Sequence, residues 1–228
     1  RLPGLPDRAA HLADFALAFS QSNRLLRLQF GPASGLHPEQ LLPLKLIGYH
    51  SINQGYHLEL TCVSSDAFIP LKHLIGQPVG VSLLCDDGIY RPLAGWVGSA
   101  QDRGADGGFA RYVLNIEDPL TLLERRINNR VFQNRSAKEV RLPNPGEHLK
   151  TNPALNTGLG IDVRCTCAYP IRSWSTQYKE SDAHFVRRLL AQEGIKHVFT
   201  YRLDQARTEL LQEQAGRIVD IIIEHKPH

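Results

Sequence analysis

Four cysteines are the residues of this chain best suited to covalent or metal chemistry: Cys62, Cys85, Cys165 and Cys167. Cys165 and Cys167 lie two positions apart, so on a strand both thiols would point to the same face. This spacing is not that of a CxxC motif, and no histidine nearby completes a zinc site. We interpret the cysteines as reduced, buried thiols, which suits a reducing cytoplasm. A hydrolase that uses Cys165 or Cys167 is an alternative, although no nucleophile–base motif supports it.

The ten histidines and the carboxylates form no recognisable catalytic or metal-binding motif. The sequence contains no HExxH, no GxSxG and no phosphate-binding P-loop. Glu180 and Asp182 lie close together at the start of an expected helix, where carboxylates stabilise the positive end of the helix dipole. We therefore predict no catalytic residue, no metal ligand and no cofactor, and we expect that the protein is not an enzyme.

The most distinctive charged feature is the segment ERRINNRVFQNRSAKEVR at residues 124–141, which holds six basic and two acidic residues. It is consistent with a solvated helix surface and with an interface for an acidic partner. Nucleic-acid binding is disfavoured, because the net charge is only +3 and a single aromatic residue interrupts the segment. The candidate interface residues are Arg125, Arg126, Arg130, Phe132 and Gln133.

Length and composition are those of one large or two small globular domains, with 228 residues that are 42% apolar and 21% charged. No segment approaches the roughly 18 consecutive apolar residues that a membrane-spanning helix needs. The first residues lack the apolar stretch and the cleavage site of a secretory signal. The chain contains no Met and stops soon after an apolar run, so we expect both ends to be trimmed from a longer protein.

The first half predicts a helical extension over 1–20 and a β-rich module over 21–123. Apolar residues recur at helical spacing from Ala9 to Phe19. Apolar and polar residues then alternate with the period of two that marks strands with one buried face. The alternating segments are Leu26–Phe30, Tyr56–Cys62, Val79–Leu83 and Tyr112–Ile116. Turn signals such as Asn53-Gln54-Gly55 separate them, which favours a small antiparallel barrel or sandwich.

The pattern changes at Asp118-Pro119, which is predicted to start a helix. The apolar face of that helix would consist of Leu120, Leu123 and Ile127. Ser136 and Glu139 have the spacing of a capping box, so a second short helix is expected there. Residues 142–160 are rich in Pro, Gly and Asn. The span 124–160 is therefore predicted to be a helical and Pro/Asn-rich connector.

Residues 161–228 are predicted to be an α/β subdomain that leads into a second barrel. Strand character resumes from Ile161 to Tyr169, and Ser181 is expected to cap a helix over 182–193 that ends at Gly194. The buried stripe of this helix is predicted to consist of Phe185, Val186, Leu189 and Leu190. A strand is expected at Ile195–Phe199, and the apolar run Ile218–Ile223 predicts a strand buried on both faces.

Five further motifs follow one another along the chain: Leu71–Pro78, Gly95–Val97, Gly107–Tyr112, Arg130–Asn134 and Gln177–Asp182. In order and spacing they resemble the N-terminal hub region of the VgrG spike proteins of type VI secretion systems. VgrG proteins are relatives of the tail-hub proteins of contractile phages. The resemblance implies an α+β, predominantly β fold, with small antiparallel β-barrel modules and an inserted α/β subdomain. It assigns a structural role to Gly108, Phe109, Tyr112, Gln177, Tyr178, Glu180, Ser181, Asp182 and Gly194.

The resemblance also implies a function, that of a homotrimeric spike base which adapts the spike to the hexameric Hcp tube. An OB-fold and a β-prism needle normally follow, and further implied partners are baseplate components, effectors and a PAAR-type tip, but not nucleic acid. Such a protein is cytoplasmic during assembly and is then exported through the type VI apparatus without a signal peptide. A tail-hub or baseplate protein of a contractile phage, or of a phage-derived particle, is the close alternative. This chain departs from the family pattern after Val140, where the connector 142–160 replaces a long helix.

Overall fold

The computed structural model of the protein describes residues 20–31, 34–106, 108–140, 159–165, 168–201 and 219–224. The first half is an antiparallel sheet of six strands, β1 (Leu26–Phe30), β2 (Leu42–Ser51), β3 (Gly55–Ser64), β4 (Pro78–Leu84), β5 (Tyr90–Asp106) and β6 (Phe109–Glu117). The strand order is β1-β4-β5-β6-β3-β2, and the two edge strands, β1 and β2, approach each other. The sheet is therefore curled into an incompletely closed barrel, in agreement with the predicted β-rich module.

Alternation along each strand places one side of the sheet in the core of this barrel. In β3 the side chains of Leu58, Leu60 and Cys62 are buried, whereas Glu59 between them is exposed. The register of β3 and β6 sets Leu60 opposite Leu114, and both are fully buried. The four strands predicted from period-two alternation are confirmed, and β2 and β5 are two additional strands that the alternation did not predict.

The second half consists of short helices and two smaller sheets. Its helices are α1 (Pro119–Leu123), α2 (Ala137–Val140) and α3 (Asp182–Gln192). Its strands are β7 (Ile127–Ser136), β8 (Leu159–Arg164), β9 (Ile171–Ser181), β10 (Lys196–Tyr201) and β11 (Val219–Glu224). β7 and β9 pair as a two-stranded antiparallel ribbon. β11 lies between β10, to which it is antiparallel, and β8, to which it is parallel.

The three-stranded sheet and the barrel share one hydrophobic core. Tyr56 of β3 packs edge-on against Phe199 and Tyr201 of β10, with ring centroids 5.4 Å apart in both pairs. At the β2–β3 turn, the Asn53 backbone N–H donates to the His197 carbonyl at 3.1 Å, and the His197 N–H donates to Asn53 Oδ1 at 2.9 Å. Asn53 has a φ of 66°, a left-handed value that asparagine tolerates. These contacts fix the second half of the chain on the first.

The segment after α1 differs from its predicted helical structure. α1 ends at Leu123 and residues 127–136 form β7, so Ile127 is exposed instead of lying on the buried face of a helix. The β-branched residues Ile127 and Val131 have modest helix propensity, and pairing with β9 satisfies the backbone of this segment as a strand. The second predicted helix is present as α2, because Glu139 accepts hydrogen bonds from the backbone N–H and the hydroxyl of Ser136.

The helix predicted over 182–193 is confirmed as α3, with its predicted apolar stripe buried. The Ser181 hydroxyl accepts a hydrogen bond from the His184 backbone N–H at 3.1 Å and so caps the first turn. Gly194 follows the last turn with a φ of 65°, a conformation that costs glycine no Cβ clash.

The strands β8 and β11 differ in detail from their predictions. β8 starts at Leu159, inside the predicted connector, and ends before Tyr169. β11 buries Val219, Ile221 and Ile223, whereas Ile222 on its opposite face is only half-buried. The prediction that this strand is buried on both faces is therefore wrong for the face that carries Ile222.

Three predictions concern residues outside the described ranges: the helix from Ala9 to Phe19, most of the connector 142–160, and the thiol of Cys167. The division of the chain into 1–20, 21–123, 124–160 and 161–228 stays a prediction. In the part of the chain that the structure describes, no helix is long and apolar enough to cross a membrane.

Candidate functional site

The ribbon of β7 and β9 has two chemically different faces, because successive side chains of a strand point to opposite sides. Phe132 lies opposite Ser175, and Arg130 lies opposite Gln177, on the face that packs toward α3. We name this the inner face of the ribbon. The intervening residues 127, 129, 131 and 133 of β7 and 174, 176 and 178 of β9 form the outer face.

The inner face packs on α3 through aromatic and aliphatic contacts. The ring of Phe132 stacks on that of Phe185 with centroids 5.6 Å apart, and Val140 and Leu189 complete this small cluster. Fully burying one such side chain contributes about 1.5–3 kcal/mol. Phe132, which was predicted to lie at an interface with a partner, therefore stabilises the ribbon against its own helix.

Asp182 is a fully buried carboxylate in the first turn of α3. Its Oδ1 accepts hydrogen bonds from Gln177 Nε2 at 2.7 Å and from Asn128 Nδ2 at 2.8 Å. Arg126 Nε lies 3.9 Å from Oδ2, and the Asp182 backbone N–H donates to the Arg126 carbonyl at 3.1 Å. A buried anion persists only with such partners, since removing it from water costs several kcal/mol. Gln177 and Asp182 thereby join β7, β9 and α3.

Glu180 and Ser181 support the same corner of the molecule from the end of β9. Glu180 accepts hydrogen bonds from Arg188 Nε at 2.9 Å and from an Arg188 terminal nitrogen at 2.8 Å. His184 Nδ1 lies 2.7 Å from the same carboxylate. The Arg188 guanidinium lowers the pKa of Glu180, and the carboxylate in turn raises the pKa of Arg188. Glu180 and Ser181 thereby hold the first turns of α3 on β9.

Asp118 and Arg187 connect α3 to the end of the barrel. Asp118 caps α1, accepting hydrogen bonds from the backbone N–H groups of Leu120 at 2.7 Å and Thr121 at 3.1 Å. Arg187 of α3 lies 3.8 Å from Asp118 Oδ2 and also pairs with Glu124. Burial raises the pKa of Asp118, although its hydrogen bonds and Arg187 oppose that shift. A capping group of the barrel therefore also contacts the helix that carries the ribbon.

The predicted interface arginines have partners within the chain. Arg125 donates to the Gly98 carbonyl at 3.1 Å and pairs with Glu117 at 3.4 Å. Arg126 is directed toward Asp182. Arg130 belongs to the inner face of the ribbon, opposite Gln177, so Gln133 is the predicted interface residue that lies exposed on the outer face.

The outer face of the ribbon carries large apolar side chains that the sequence analysis did not assign to an interface. Ile127, Val131, Trp174 and Tyr178 are 68%, 56%, 64% and 68% exposed. The available signal was the period-two pattern of INNRVFQ and SWSTQY, at residues 127–133 and 173–178. It was missed in the first segment because that segment was interpreted as a helix. Of the four residues, Val131 and Tyr178 lie within the family motifs, and the resemblance assigned a structural role to Tyr178 alone.

Three further motif residues belong to the β5–β6 hairpin of the barrel. Gly108 has a φ of 91°, which favours glycine at this turn. Phe109 pairs with Asp106 across the turn. Tyr112 is buried, and its hydroxyl donates to the Asp66 carbonyl at 2.9 Å. These residues shape the barrel rather than the ribbon.

The buried thiols and histidine lack the surroundings of reactive groups. Cys165 is buried and its thiol donates to the Ile223 carbonyl at 3.6 Å, while burial raises the pKa of Cys62 far above its usual range. Burial, with a contribution from Arg187, lowers the pKa of His197 to about 4. Over the described ranges, no group of three or more His, Cys, Asp and Glu residues could hold a metal ion. The raised pKa keeps the buried Cys62 thiol protonated, and the thiolate is the reactive form of cysteine.

Comparison with known proteins shows the family to which this chain belongs. Residues 50–218, which include β3 to β10, match the phage tail baseplate hub (GPD) family. The chain belongs to this family. The hub chain is 30% identical over 201 residues to the type VI secretion system spike protein VgrG1c of Pseudomonas aeruginosa, which covers 87% of the hub chain and 26% of the relative. VgrG1b of the same organism is 29% identical over 202 residues, covering 87% of the hub chain and 25% of the relative.

The hub chain thus spans about a quarter of the length of these curated relatives. An Escherichia coli component of the type VI secretion system, the c3393 protein, shares the fold with a TM-score of 0.64 at 22% identity, over 86% of the hub chain and 48% of that protein. That protein is described as structurally similar to the T4 bacteriophage tail proteins gp27 and gp5. A chain of the lidless PdpA–VgrG complex has a TM-score of 0.51 at 12% identity, over 81% and 30% of the two chains. The resemblance to VgrG hub regions and the predominantly β, hub-type fold are confirmed.

Proposed function

We propose that the hub chain forms the base of a VgrG-type spike in a type VI secretion system. The observation that carries the proposal is the match of residues 50–218 to the baseplate hub family, together with VgrG relatives that align over 87% of the chain. The geometry supports a structural role, because the motif residues Gln177 and Asp182 are joined to each other and to neighbouring elements by buried hydrogen bonds. We accordingly propose that the protein is not an enzyme.

In this proposal three copies form a ring that carries the needle and rests on the hexameric Hcp tube. Each copy contributes the barrel of β1 to β6 and a second barrel, into which the subdomain leads. Three copies therefore present six similar barrels to a sixfold tube. The exposed apolar strand faces support such assembly, since permanent interfaces commonly bury more than about 2,000 Å². Arg125 and Arg126 contribute less to the contact between copies than we predicted from the sequence, because both have partners within the chain.

The remaining proposed partners are the OB-fold and β-prism needle of the same protein, baseplate components, effectors and a PAAR-type tip. The solved complex of a VgrG with PdpA supports the idea that VgrG proteins assemble with further proteins. Nucleic acid is not among the proposed partners. The protein would assemble in the cytoplasm and be exported through the type VI apparatus without a signal peptide.

A second candidate function is that of a tail-hub protein in a contractile phage or a phage-derived particle. The family match itself favours it, and the structural relative from E. coli resembles T4 tail proteins. The two candidates share the fold and differ in the tube protein that they contact. A hydrolase that uses Cys165 is disfavoured, because this thiol is buried against the Ile223 carbonyl.

Binding to Hcp rings tests the proposal directly. We expect this chain, fused to the OB-fold and needle of VgrG1c, to give a trimer in native mass spectrometry and to co-sediment with assembled Hcp tubes. The needle alone is the matched control, since it should be trimeric without binding the tube. A monomeric or dimeric fusion protein would contradict the hub function. A trimer that does not bind Hcp tubes but binds a phage tube protein would favour the second candidate.

A further inference from the structure

The outer face of the ribbon carries four large apolar side chains, with the polar residues Asn129, Gln133 and Thr176 between them, and no described part of the chain covers this face. We name Ile127, Val131, Trp174 and Tyr178 the ribbon patch. All four are more than half exposed, from 56% to 68%. Four large side chains at this exposure present on the order of 400 Å², comparable with the largest patches that monomeric proteins leave open, which are often functional.

A second exposed apolar surface lies on β2 of the barrel. Ile47 and Tyr49 point outward from this edge strand, and Leu44 and Ile52 extend the surface at its two ends. We name these four residues the barrel patch, and their exposures run from 50% to 62%. The ring of Tyr49 lies 6.4 Å from that of His57 on β3, so the patch continues across the pair of strands.

The two patches are unlike each other and belong to different sheets. One lies on the two-stranded ribbon and the other on the outer surface of the barrel. A contact that propagates head to tail between identical chains requires two different, mutually complementary surfaces on every copy. Both surfaces are strand faces, which pack on one another at a separation of about 10 Å.

The charges beside the two patches differ. The exposed residues Arg135 and Lys179 lie along the ribbon, and the outward positions 127, 129, 131, 133, 174, 176 and 178 carry no carboxylate. The barrel patch carries both signs of charge: the exposed carboxylate of Glu59, which can meet the basic ribbon, lies directly across from Ile47, and the exposed Lys45 lies two positions before Ile47 on β2. Opposite charges at the rim of an apolar contact fix its register more than its affinity.

We propose that the ribbon patch of one chain docks on the barrel patch of the next copy. This inference rests on the proposed function, in which copies of the hub chain close a ring. In this arrangement the main contact between copies is an apolar, aromatic surface, and not the basic segment 124–141 that the sequence suggested. A large exposed tryptophan and tyrosine are the residue types that dominate the energetics of protein interfaces.

Two double variants test the pairing, because each removes one patch and leaves the other intact. Trp174→Ser with Tyr178→Ser removes the ribbon patch, and Ile47→Ser with Tyr49→Ser removes the barrel patch. Phe68→Ser with Ile89→Ser is the matched control, since both side chains are exposed and lie outside the patches. Thermal unfolding of all three variants should match that of the unaltered chain, because no buried side chain changes.

Sedimentation velocity over a concentration series up to several hundred micromolar gives the readout. We expect the unaltered chain and the control variant to self-associate, and each patch variant alone to associate at least tenfold more weakly. An equimolar mixture of the two patch variants should form a 1:1 dimer and nothing larger, since it retains only one intact ribbon–barrel contact.

Three results would overturn the pairing. An unaltered chain that stays monomeric throughout the series would show that the patches do not bind a second copy. A barrel-patch variant that still dimerises would mean that ribbon patches bind each other face to face. A mixture that stays monomeric would show that the patches do not recognise each other. If any of these occurs while the needle-bearing protein still forms trimers that bind Hcp, the docking proposal fails and the hub function stands.

Discussion

Side chains alternate with a period of two in both the barrel and the ribbon, but the apolar set is buried in the barrel and exposed on the ribbon. In the barrel the apolar side chains of β3 and β6 fill a core that the curled sheet shares with the three-stranded sheet. In the ribbon the outward side chains Ile127 and Trp174 are the apolar ones, while the inner face uses Gln177 and Phe132 to bind α3. The apolar inner face of the barrel is therefore covered within the described structure, whereas the ribbon has an apolar face that its own chain does not cover there.

This difference shows that alternation identifies a strand but not the surface that its apolar face meets. A two-stranded ribbon cannot bury both faces against one short helix, and isolated two-stranded sheets are marginally stable in water. The buried bonds of Asp182 with Gln177 and Asn128 compensate on the inner face. The outer face then remains free to contribute to assembly.

The two tryptophans provide the largest expected contrast between the regions. Trp96 is fully buried in the barrel, and Trp174 is 64% exposed on the ribbon. We expect Trp96→Ala to lower the free energy of unfolding by about 3–5 kcal/mol through loss of packing and creation of a cavity. Trp174→Ala should change it by no more than about 0.5 kcal/mol, as for other surface substitutions. Urea denaturation measures both, and equal losses would contradict the assigned faces.

Helix α3 contacts both the ribbon and the end of the barrel, and its buried and exposed sides should differ in their contribution to stability. Leu189 packs with Phe185 toward the ribbon, while Arg188 lies partly exposed and pairs with Glu180. We expect Leu189→Ala to cost about 2–5 kcal/mol. Arg188→Ala should cost about 0–1 kcal/mol, because partly exposed ion pairs contribute little. Urea denaturation of both variants checks the placement of the helix, and a larger loss for Arg188→Ala would show that the wrong face is assigned to the ribbon.

The junction between the barrel and the three-stranded sheet should be sensitive to acid. Among the described residues, neither ring nitrogen of the buried His197 has a hydrogen-bond partner. Its pKa is lowered from 6.5 to about 4, mainly by burial and also by Arg187. The unfolded chain therefore binds a proton between pH 6.5 and about 4 that the folded chain does not. The resulting loss, on the order of 2–3 kcal/mol, is absent above pH 6.5 and grows as the pH falls to about 4.

Other groups at the same junction modify this pH dependence. The pKa of His50 is lowered by burial, so its contribution has the same sign as that of His197. The pKa of Asp118 is raised by burial, so its protonation in the folded chain acts in the opposite direction. His197→Phe should flatten the dependence of the unfolding free energy on pH, which urea denaturation at a series of pH values measures. An unchanged slope in His197→Phe would remove His197 as the cause.

Much of the fold could be predicted from local pattern and from capping chemistry. Strands β1, β3, β4 and β6 of the barrel follow from alternation that one buried face imposes, and α3 follows from Ser181, its apolar stripe and Gly194. β2 was missed because Pro43 and the bulge between Pro43 and Lys45 interrupt its pattern. Its outward Ile47 and Tyr49 also make it apolar on both sides, which obscures the alternation.

The candidate site was predictable in its residues but not in its geometry. Gln177 and Asp182 belong to one motif, yet the partner that completes the network, Asn128, is distant in sequence and comes from β7. The segment 127–136 was interpreted as helical because its strand partner β9 lies beyond the connector, and no local signal reveals that pairing. Arg125 and Arg126 were assigned to an interface for the same reason, since their intramolecular partners depend on the tertiary fold.

Site-specific photo-crosslinking from position 174 in the needle-bearing protein tests most directly whether the hub chain assembles through these exposed strand faces. A benzophenone amino acid in place of Trp174 reacts with C–H groups in contact with it, and mass spectrometry identifies the peptide that it captures. We expect a crosslink between chains that captures residues 44–52 of another copy, and its loss after Ile47→Ser with Tyr49→Ser. A crosslink confined to its own chain, or one that captures a different surface of the neighbouring copy, would contradict the assembly proposed for this molecule.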